Sequence, residues 1–372
     1  MYRLLFLGFL AIFLIMLFRR KDSTVFAALM AAVLLLLVIL RASTVGADTE
    51  AYLDLFLYQI APDNRTFETG FLLWNQLWRT LGLGGRLYLA VCAICSLGFV
   101  IFAIWRRSEN RVLSMTLLLV CFGWTFYLTG IRQSLAMGFF ALGVLLTDAL
   151  FEVRSLAEFR KRFSVKTVLG VLFLLVSPLM HNTAFFAVVV YLFVLLVRLP
   201  RKLYFILIPV SFFIALFSAF GSADVVVDRA FELIEDNVSS ASRYSGYIAD
   251  ENAFFSGVSL YLLIKNLLPV NLLAILGLLC SERKRYTLYE HMFLWMVIVS
   301  NLFYFFSYMF RMRMFLYPMA CIAVASLYLP AYKSKRLSGF LVILAVFVLI
   351  SAYTTYANLM QMPEFRYAFF FR

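Results

Sequence analysis

The stretch VFAALMAAVLLLLVIL, residues 25–40, carries no charged or strongly polar side chain. A helix built from it is apolar all round. Such a helix is stable only inside a large core or in lipid, where a span takes about 17–25 apolar residues. The same texture recurs outward from it along the whole chain. It is found at Leu4–Phe18, Tyr88–Trp105, Val112–Leu128, Ser134–Phe151, Thr167–Met180 and Thr183–Val197. Further runs occupy Leu203–Gly221, Val258–Leu279, His291–Phe310, Met314–Pro330 and Leu337–Tyr353, which makes twelve candidate spans.

Composition agrees with this reading. The chain is 64% hydrophobic and only 14% charged, with mean hydropathy +0.92, where soluble domains are about half apolar. No polar stretch is long enough to bury a core of its own. The expectation is an all-α polytopic membrane protein, one integral domain over residues 1–372. The first run is flanked by Arg3 on one side and Arg19, Arg20 and Lys21 on the other, with no small-residue cleavage site, so it reads as an uncleaved anchor.

Alternate loops differ in charge, and Lys and Arg are retained on the cytoplasmic side. One set of loops holds Arg19–Lys21, Arg106–Arg111, Arg154–Lys166, Arg198–Lys202, Arg283–Arg285 and Lys333–Arg336. These loops and the helix ends beside them carry 20 basic and 7 acidic residues, against 13 of each on the other side. The whole net charge of +13 therefore sits on one face, which predicts that this face is cytoplasmic and that both termini are extracytoplasmic. The basic balance thus reflects topology. With no aromatic-lined basic groove in the sequence, a nucleic-acid partner is excluded from the reading.

All five cysteines lie within or at the edge of apolar runs, where a thiol is a small hydrophobe. Cys92 and Cys95 form a CxxC with no second pair and no nearby histidine, so packing is the expected role and no metal site is assigned. No cofactor is expected either.

The outer face holds two long segments, residues 41–87 and 221–257. In the first, Tyr52, Leu55, Phe56 and Gln59 recur at helical spacing, and FLLWNQLWRTLGLGG gives a second amphipathic stretch rich in Trp. Both suit interfacial or re-entrant helices that roof a cavity. In the second, Asp224, Asp228, Glu232 and Asp236 repeat every fourth residue opposite Val227, Phe231, Ile234 and Val238. That pattern predicts an amphipathic helix lying on the membrane with a solvated acidic face.

Ionisable groups near membrane depth are costly, so their placement points to chemistry. Four places on the outer side stand out. Arg41 precedes VGADTEAY, in which Gly46 allows a turn and Asp48 stands before Tyr52. LTGIRQSLA has Gly130 ending the fourth span and Arg132 and Gln133 opening the fifth, at a helix start that already favours an anion. SPLMHNTAFF has Pro178 breaking the sixth span before His181. FRMRMFLYP puts Arg311 and Arg313 at a turn, about 200° apart on a regular helix. Asp48 and Glu68 are the outer acids nearest these cations. Each is able to deprotonate a hydroxyl, and each is equally able to hold Arg132 or Arg41 in a salt bridge. His291, beside Glu290 on the cytoplasmic side, reads as structural.

Taken in order, GADTEAY after Arg41, FETGFLLWNQL, GIRQSLAMG, HNTAFF and FRMRMFLYP resemble the EpsG family of bacterial polysaccharide polymerases, the Wzy-like enzymes of capsule, exopolysaccharide and O-antigen assembly. Thr49 stands where an aromatic is expected after the Asp, and Asn182-Thr183 replace Ser-type residues after the His. The resemblance implies a GT-C-like architecture of about twelve spans in the bacterial cytoplasmic membrane. It implies transfer of a growing glycan from undecaprenyl diphosphate onto a new lipid-linked repeat unit, with inversion. His181 or Asp48 would be the base, and Arg132, Arg311, Arg313 and Arg41 would bind diphosphate. Gln133, Glu68, Arg243, Tyr244 and Tyr247 would line the substrate path. The partners it implies are undecaprenyl-diphosphate-linked glycans, membrane lipid, and a chain-length regulator and flippase of the same pathway. Two rivals use the same kind of residues: a flippase or transporter of lipid-linked glycans, and another membrane glycosyltransferase or ligase with a polyprenyl-diphosphate donor.

Overall fold

A computed structural model describes residues 1–60, 67–121, 123–217, 260–304 and 309–371. Among these the chain is helical, and the only β-type pairing is an isolated antiparallel bridge between Arg41 and Phe369. The helices are α1 (Tyr2–Arg19), α2 (Thr24–Ile39), α3 (Thr49–Tyr58), α4 (Thr69–Thr80), α5 (Gly85–Ala93), α6 (Phe99–Arg107) and α7 (Arg111–Val120). They continue with α8 (Ile131–Thr147), α9 (Leu156–Arg162), α10 (Val165–Met180), α11 (Ala184–Leu196) and α12 (Arg201–Phe217). After the second long segment come α13 (Leu260–Cys280), α14 (Leu288–Leu302), α15 (Met309–Met314), α16 (Tyr317–Leu327), α17 (Leu329–Lys333) and α18 (Ser338–Gln361).

Five of the described helical segments are long and apolar enough to cross a bilayer: Tyr2–Arg19, Gly85–Arg107, Ile131–Glu152, Leu263–Cys280 and Lys335–Gln361. A sixth is obtained if α9 and α10, bent by 93°, count as one. The runs at Val25–Leu40, Val112–Leu128 and Thr183–Val197 fall on apolar helices of 10–17 residues. Side chains such as Leu169, Leu172, Leu175 and Leu179 on α10 are exposed, as are Val342, Val346 and Ile350 on α18. Apolar belts of this kind are lipid-facing surface. The molecule is a helical membrane protein.

Burial grades the helices from centre to rim. Most of Ile131–Glu152 is buried and little of Lys335–Gln361 is, so α8 is the central post and α18 a lipid-facing outer helix. Every residue of α16 is buried as well. Gly143 and Gly170 let α8 and α10 approach closely, each meeting the other's backbone.

Three sequence expectations shift. The fourth run is helical only to Val120, after which Gly123 turns at φ +77° and Trp124–Leu128 form a 3₁₀ turn. Apolar WTFYL reads as a continuing helix, but the left-handed glycine stops it. Pro178 does not break the sixth run: it sits inside α10, which continues to Met180 and ends at an extended His181. So close to the helix end, the missing proline N–H costs one ladder bond without ending the helix. The tenth run is not one helix: its first helix ends at Leu302, and its last two residues, Met309 and Phe310, open α15. The amphipathic helix expected around Asp224–Val238 lies outside the described residues.

Candidate active site

The outer segment builds a small platform over the end of α8. Asp48 precedes α3, and Gly46 before it has φ +94°, with the position of a Cβ only 1.9 Å from the Leu128 carbonyl oxygen. Only glycine fits there. Thr49, fully buried, donates its hydroxyl to the Val45 and Leu128 carbonyls at 2.8 and 3.3 Å. An aromatic side chain would have no space in that position, which gives the threonine a packing reason. Tyr52, Leu55 and Phe56 face inward as their spacing predicts, while Gln59 ends the helix exposed at φ 59°.

Glu68 stands at the N-cap of α4 with extended backbone. Two residues on, Gly70 lies against α10. A Cβ there would sit 2.6 Å from the Leu179 carbonyl oxygen. This close approach brings Glu68 to His181 at the end of α10. One carboxylate oxygen is 2.8 Å from His181 Nδ1 and accepts from the Asn182 backbone N–H at 3.3 Å. The other accepts from Arg132 Nη1 at 2.6 Å. Arg132 Nε donates in turn to the Tyr52 hydroxyl at 3.0 Å, and its guanidinium lies 4.8 Å from the Phe67 ring centre.

The side chains of Glu68, His181 and Arg132 are 10%, 14% and 16% exposed, reachable from outside yet largely desolvated. Burial by itself raises the Glu68 carboxyl. The His181 hydrogen bond and then the Arg132 charge outweigh it and hold the group at about 2. Burial pushes the Tyr52 hydroxyl upward, against the pull of Arg132. An ionised carboxylate only accepts hydrogen bonds, so His181 Nδ1 must donate, which leaves Nε2 as the basic nitrogen.

Gln133, the next residue on α8, donates to the Arg311 carbonyl at 2.8 Å. That bond ties α15, and with it Arg313, to the Arg132 end of α8. Asp48 is half-buried and lies close enough to act electrostatically on Tyr52. The structure thus gathers Glu68, His181, Arg132 and Gln133, with Asp48 and α15 beside them.

Arg41 is placed elsewhere. It is 2% exposed, donates Nη1 to the Val38 carbonyl at 2.9 Å, and sits where residues 368–370 pair with residues 40–42. Its Nε has no partner among the described residues. Arg243, Tyr244 and Tyr247 lie outside the described residues. His291 is buried and within 2.6 Å of the Tyr204 hydroxyl, next to a fully buried Glu290 in a capping box with Thr287. Cys92 is buried with its carbonyl bonded to Ser96, and Cys95 opens no ligand set. Among the described residues no cluster of three or more His, Cys, Asp or Glu could hold a metal ion.

Sequence reasoning missed Tyr52 as a site residue, along with Phe67 and the Asn182 N–H. Tyr52 had one signal: it stands one helical turn after Asp48, on the side where the outer cations cluster.

No curated protein and no solved structure matches the chain. The EpsG family model matches residues 24–369, nearly the full length, and the protein belongs to the EpsG family.

Proposed function

We propose that the protein is a polysaccharide polymerase of the bacterial cytoplasmic membrane, with twelve spans in a GT-C-like arrangement and both termini outside. It joins undecaprenyl-diphosphate-linked repeat units at the outer face, with inversion and with lipid diphosphate as leaving group. The observation that carries this reading is the bridging of His181 and Arg132 by one carboxylate, Glu68, at 2.8 and 2.6 Å. The arrangement pairs a positioned base with a positioned cation, as glycosyl transfer from a diphosphate requires.

In this mechanism His181 Nε2 takes the proton from the acceptor sugar hydroxyl. The hydroxyl oxygen bonds to the anomeric carbon of the donor, and the anomeric carbon–oxygen bond to diphosphate breaks with its electron pair on the departing phosphate. Glu68 keeps Nδ1–H in place and stabilises the imidazolium that forms, much as a carboxylate does behind other catalytic histidines. Arg132 has one nitrogen on Glu68 and one on Tyr52. Its Nη2 makes no hydrogen bond among the described residues and contacts the diphosphate in this reading. Arg311 and Arg313, tied to the same place by Gln133, supply further positive charge.

A cavity of about 650 Å³ supports the lipid half of the substrate. Leu267, Val270, Leu344 and Phe347 line it together with Lys265 and Arg313. Its apolar lining suits a polyprenyl chain and its cations suit the diphosphate at the end of that chain. A chain-length regulator and a flippase of the same pathway are the partners this role calls for.

The test is chain extension by purified protein on defined lipid-linked repeat units. Arg132→Ala and His181→Ala are each expected to lose about 10²-fold or more in rate while remaining folded. Full extension by both variants removes the site assignment. Translocation of lipid-linked glycan without glycosidic bond formation replaces the polymerase by a flippase.

A further inference from the structure

The end of the bundle opposite Glu68 holds a second, larger polar cavity of about 1180 Å³. Asp148, just beyond the last turn of α8, lines it, so it lies about 25 Å from Arg132 along that helix. Its walls come from four basic loops that the sequence explains by topology alone. The structure adds that these cations converge on one cavity and that their charges do not cancel.

Each acid in the lining is already engaged. Asp148 takes Arg107 in a two-point contact at 2.5 and 2.8 Å and also accepts from Tyr289. Glu152 pairs with Arg162 at 2.7 Å, and Glu109 pairs with Arg283. Arg154, Arg198, Arg201, Lys284 and Arg285 also line the cavity, and none of their side-chain cations forms an ion pair with an acid among the described residues. Arg198 is the most telling. Its guanidinium lies 4.5 Å from the Phe151 ring centre and its Nη2 reaches only the Val153 carbonyl, at 3.3 Å. Its Nε and Nη1 are buried and have no hydrogen-bond partner among the described residues. Arg201 likewise bonds only a carbonyl, that of Leu278. A buried, unpaired guanidinium edge is costly unless something fills it.

We propose that this cavity is an anion site for a phosphate ester, with Arg198 and Arg201 as its inner ligands and Lys284 and Arg285 at its exposed entrance. Guanidinium groups match phosphate in two-point contacts, and Tyr286 supplies a wall against which such a ligand packs. The ligand source is either an anionic phospholipid headgroup or a small soluble phosphate. The site does not depend on the polymerase reading.

Thermal unfolding of the purified full-length protein in neutral detergent decides the matter. The probes, each added alone, are dioleoyl phosphatidylglycerol, dioleoyl phosphatidylcholine and sn-glycerol 3-phosphate. A rise in melting temperature with phosphatidylglycerol only assigns a lipid headgroup, and a rise with glycerol phosphate assigns a soluble ester. In either case R198Q/R201Q is expected to weaken the apparent affinity about tenfold or more, while the exposed pair R160Q/K161Q leaves it unchanged. No response in the wild type, an equal response to phosphatidylcholine, or an unaltered response in R198Q/R201Q overturns the proposal. Should that double variant not fold, amide exchange on the wild type replaces it. Ligand-dependent protection confined to residues 198–201 and 284–289 is expected, and protection only elsewhere overturns the site.

Discussion

At the level of single residues, Glu68 decides how His181 and Arg132 work, because it is bonded to both. Its carboxyl drops from an ordinary 4.5 to about 2 on folding, so the folded form binds its proton more weakly than the unfolded form. The resulting stabilisation is complete above about pH 4.5 and is lost as pH falls toward 2, amounting to about 3 kcal/mol for a shift of that size. Glu68→Gln is therefore expected to lower the melting temperature at pH 7, with the gap to wild type closing steadily in melts run from pH 5 down to pH 3. A gap independent of pH sinks this account of the ion pair. In chain-extension assays the same variant is expected to lose about 10²-fold in kcat, because an amide neither fixes the His181 tautomer nor stabilises its cation. The Glu68–Arg132 half of this pairing is one of the alternatives the sequence leaves open, and it forms at 2.6 Å; the His181 half was not legible. Glu68, Arg132 and His181 each stood out as an outer polar residue, but 113 positions separate Glu68 from His181 and nothing local links them. Tyr52 was hidden for a different reason: on an aromatic stripe, a tyrosine that packs and one that also hydrogen-bonds look alike.

Helices carry these side chains to one another, and the α4–α10 contact sets the critical distance. Gly70 faces the Leu179 backbone at a separation no Cβ tolerates, and that backbone cannot swing away like a flexible side chain. Gly70→Ala is expected to push α4 outward, lengthen the Glu68–His181 bond and cost at least tenfold in extension rate, with helical content kept, since misplacement by an ångström can cost about 10². Gly84→Ala is the matched control, because a Cβ there meets nothing within 4 Å. Equal activity in the two variants means that this contact does not position the site. The element level is also where hydropathy served best and failed most instructively. Apolar runs located α2, α8, α10, α11 and α13 to within a few residues, because lipid and a helical core both demand unbroken apolar helix. The run through Trp124 misled because hydropathy does not register backbone conformation: Gly123 ends the helix while every following side chain stays apolar.

For the whole molecule, orientation decides whether the Glu68 group can meet a lipid-linked glycan at all. Tyr2 donates to the Phe365 carbonyl at 2.9 Å, Ala42 N–H to Ala368 at 2.8 Å and Gly46 N–H to Glu364 at 2.8 Å. Both terminal segments are therefore joined at the end that carries Arg41 and the platform of α3 and α4. The loops rich in Lys and Arg lie at the other end, where the second cavity is, and basic loops are retained in the cytoplasm. The described helices thus predict that Thr44 is accessible from outside the cell and Arg160 only from within. Thr44→Cys and Arg160→Cys, placed singly in a chain whose partly buried Cys95 and Cys121 are replaced by Ala, test this with a membrane-impermeant maleimide. Labelling of Thr44→Cys in intact cells, and of Arg160→Cys only after permeabilisation, is the expected pattern. The reverse pattern would put His181 and Arg132 in the cytoplasm, away from lipid-linked repeat units presented at the outer face, and the polymerase reading would fall with it. Labelling of both positions in intact cells would instead separate the two ends from the two sides of the membrane, and the phosphate site would then face the same compartment as the Glu68 group.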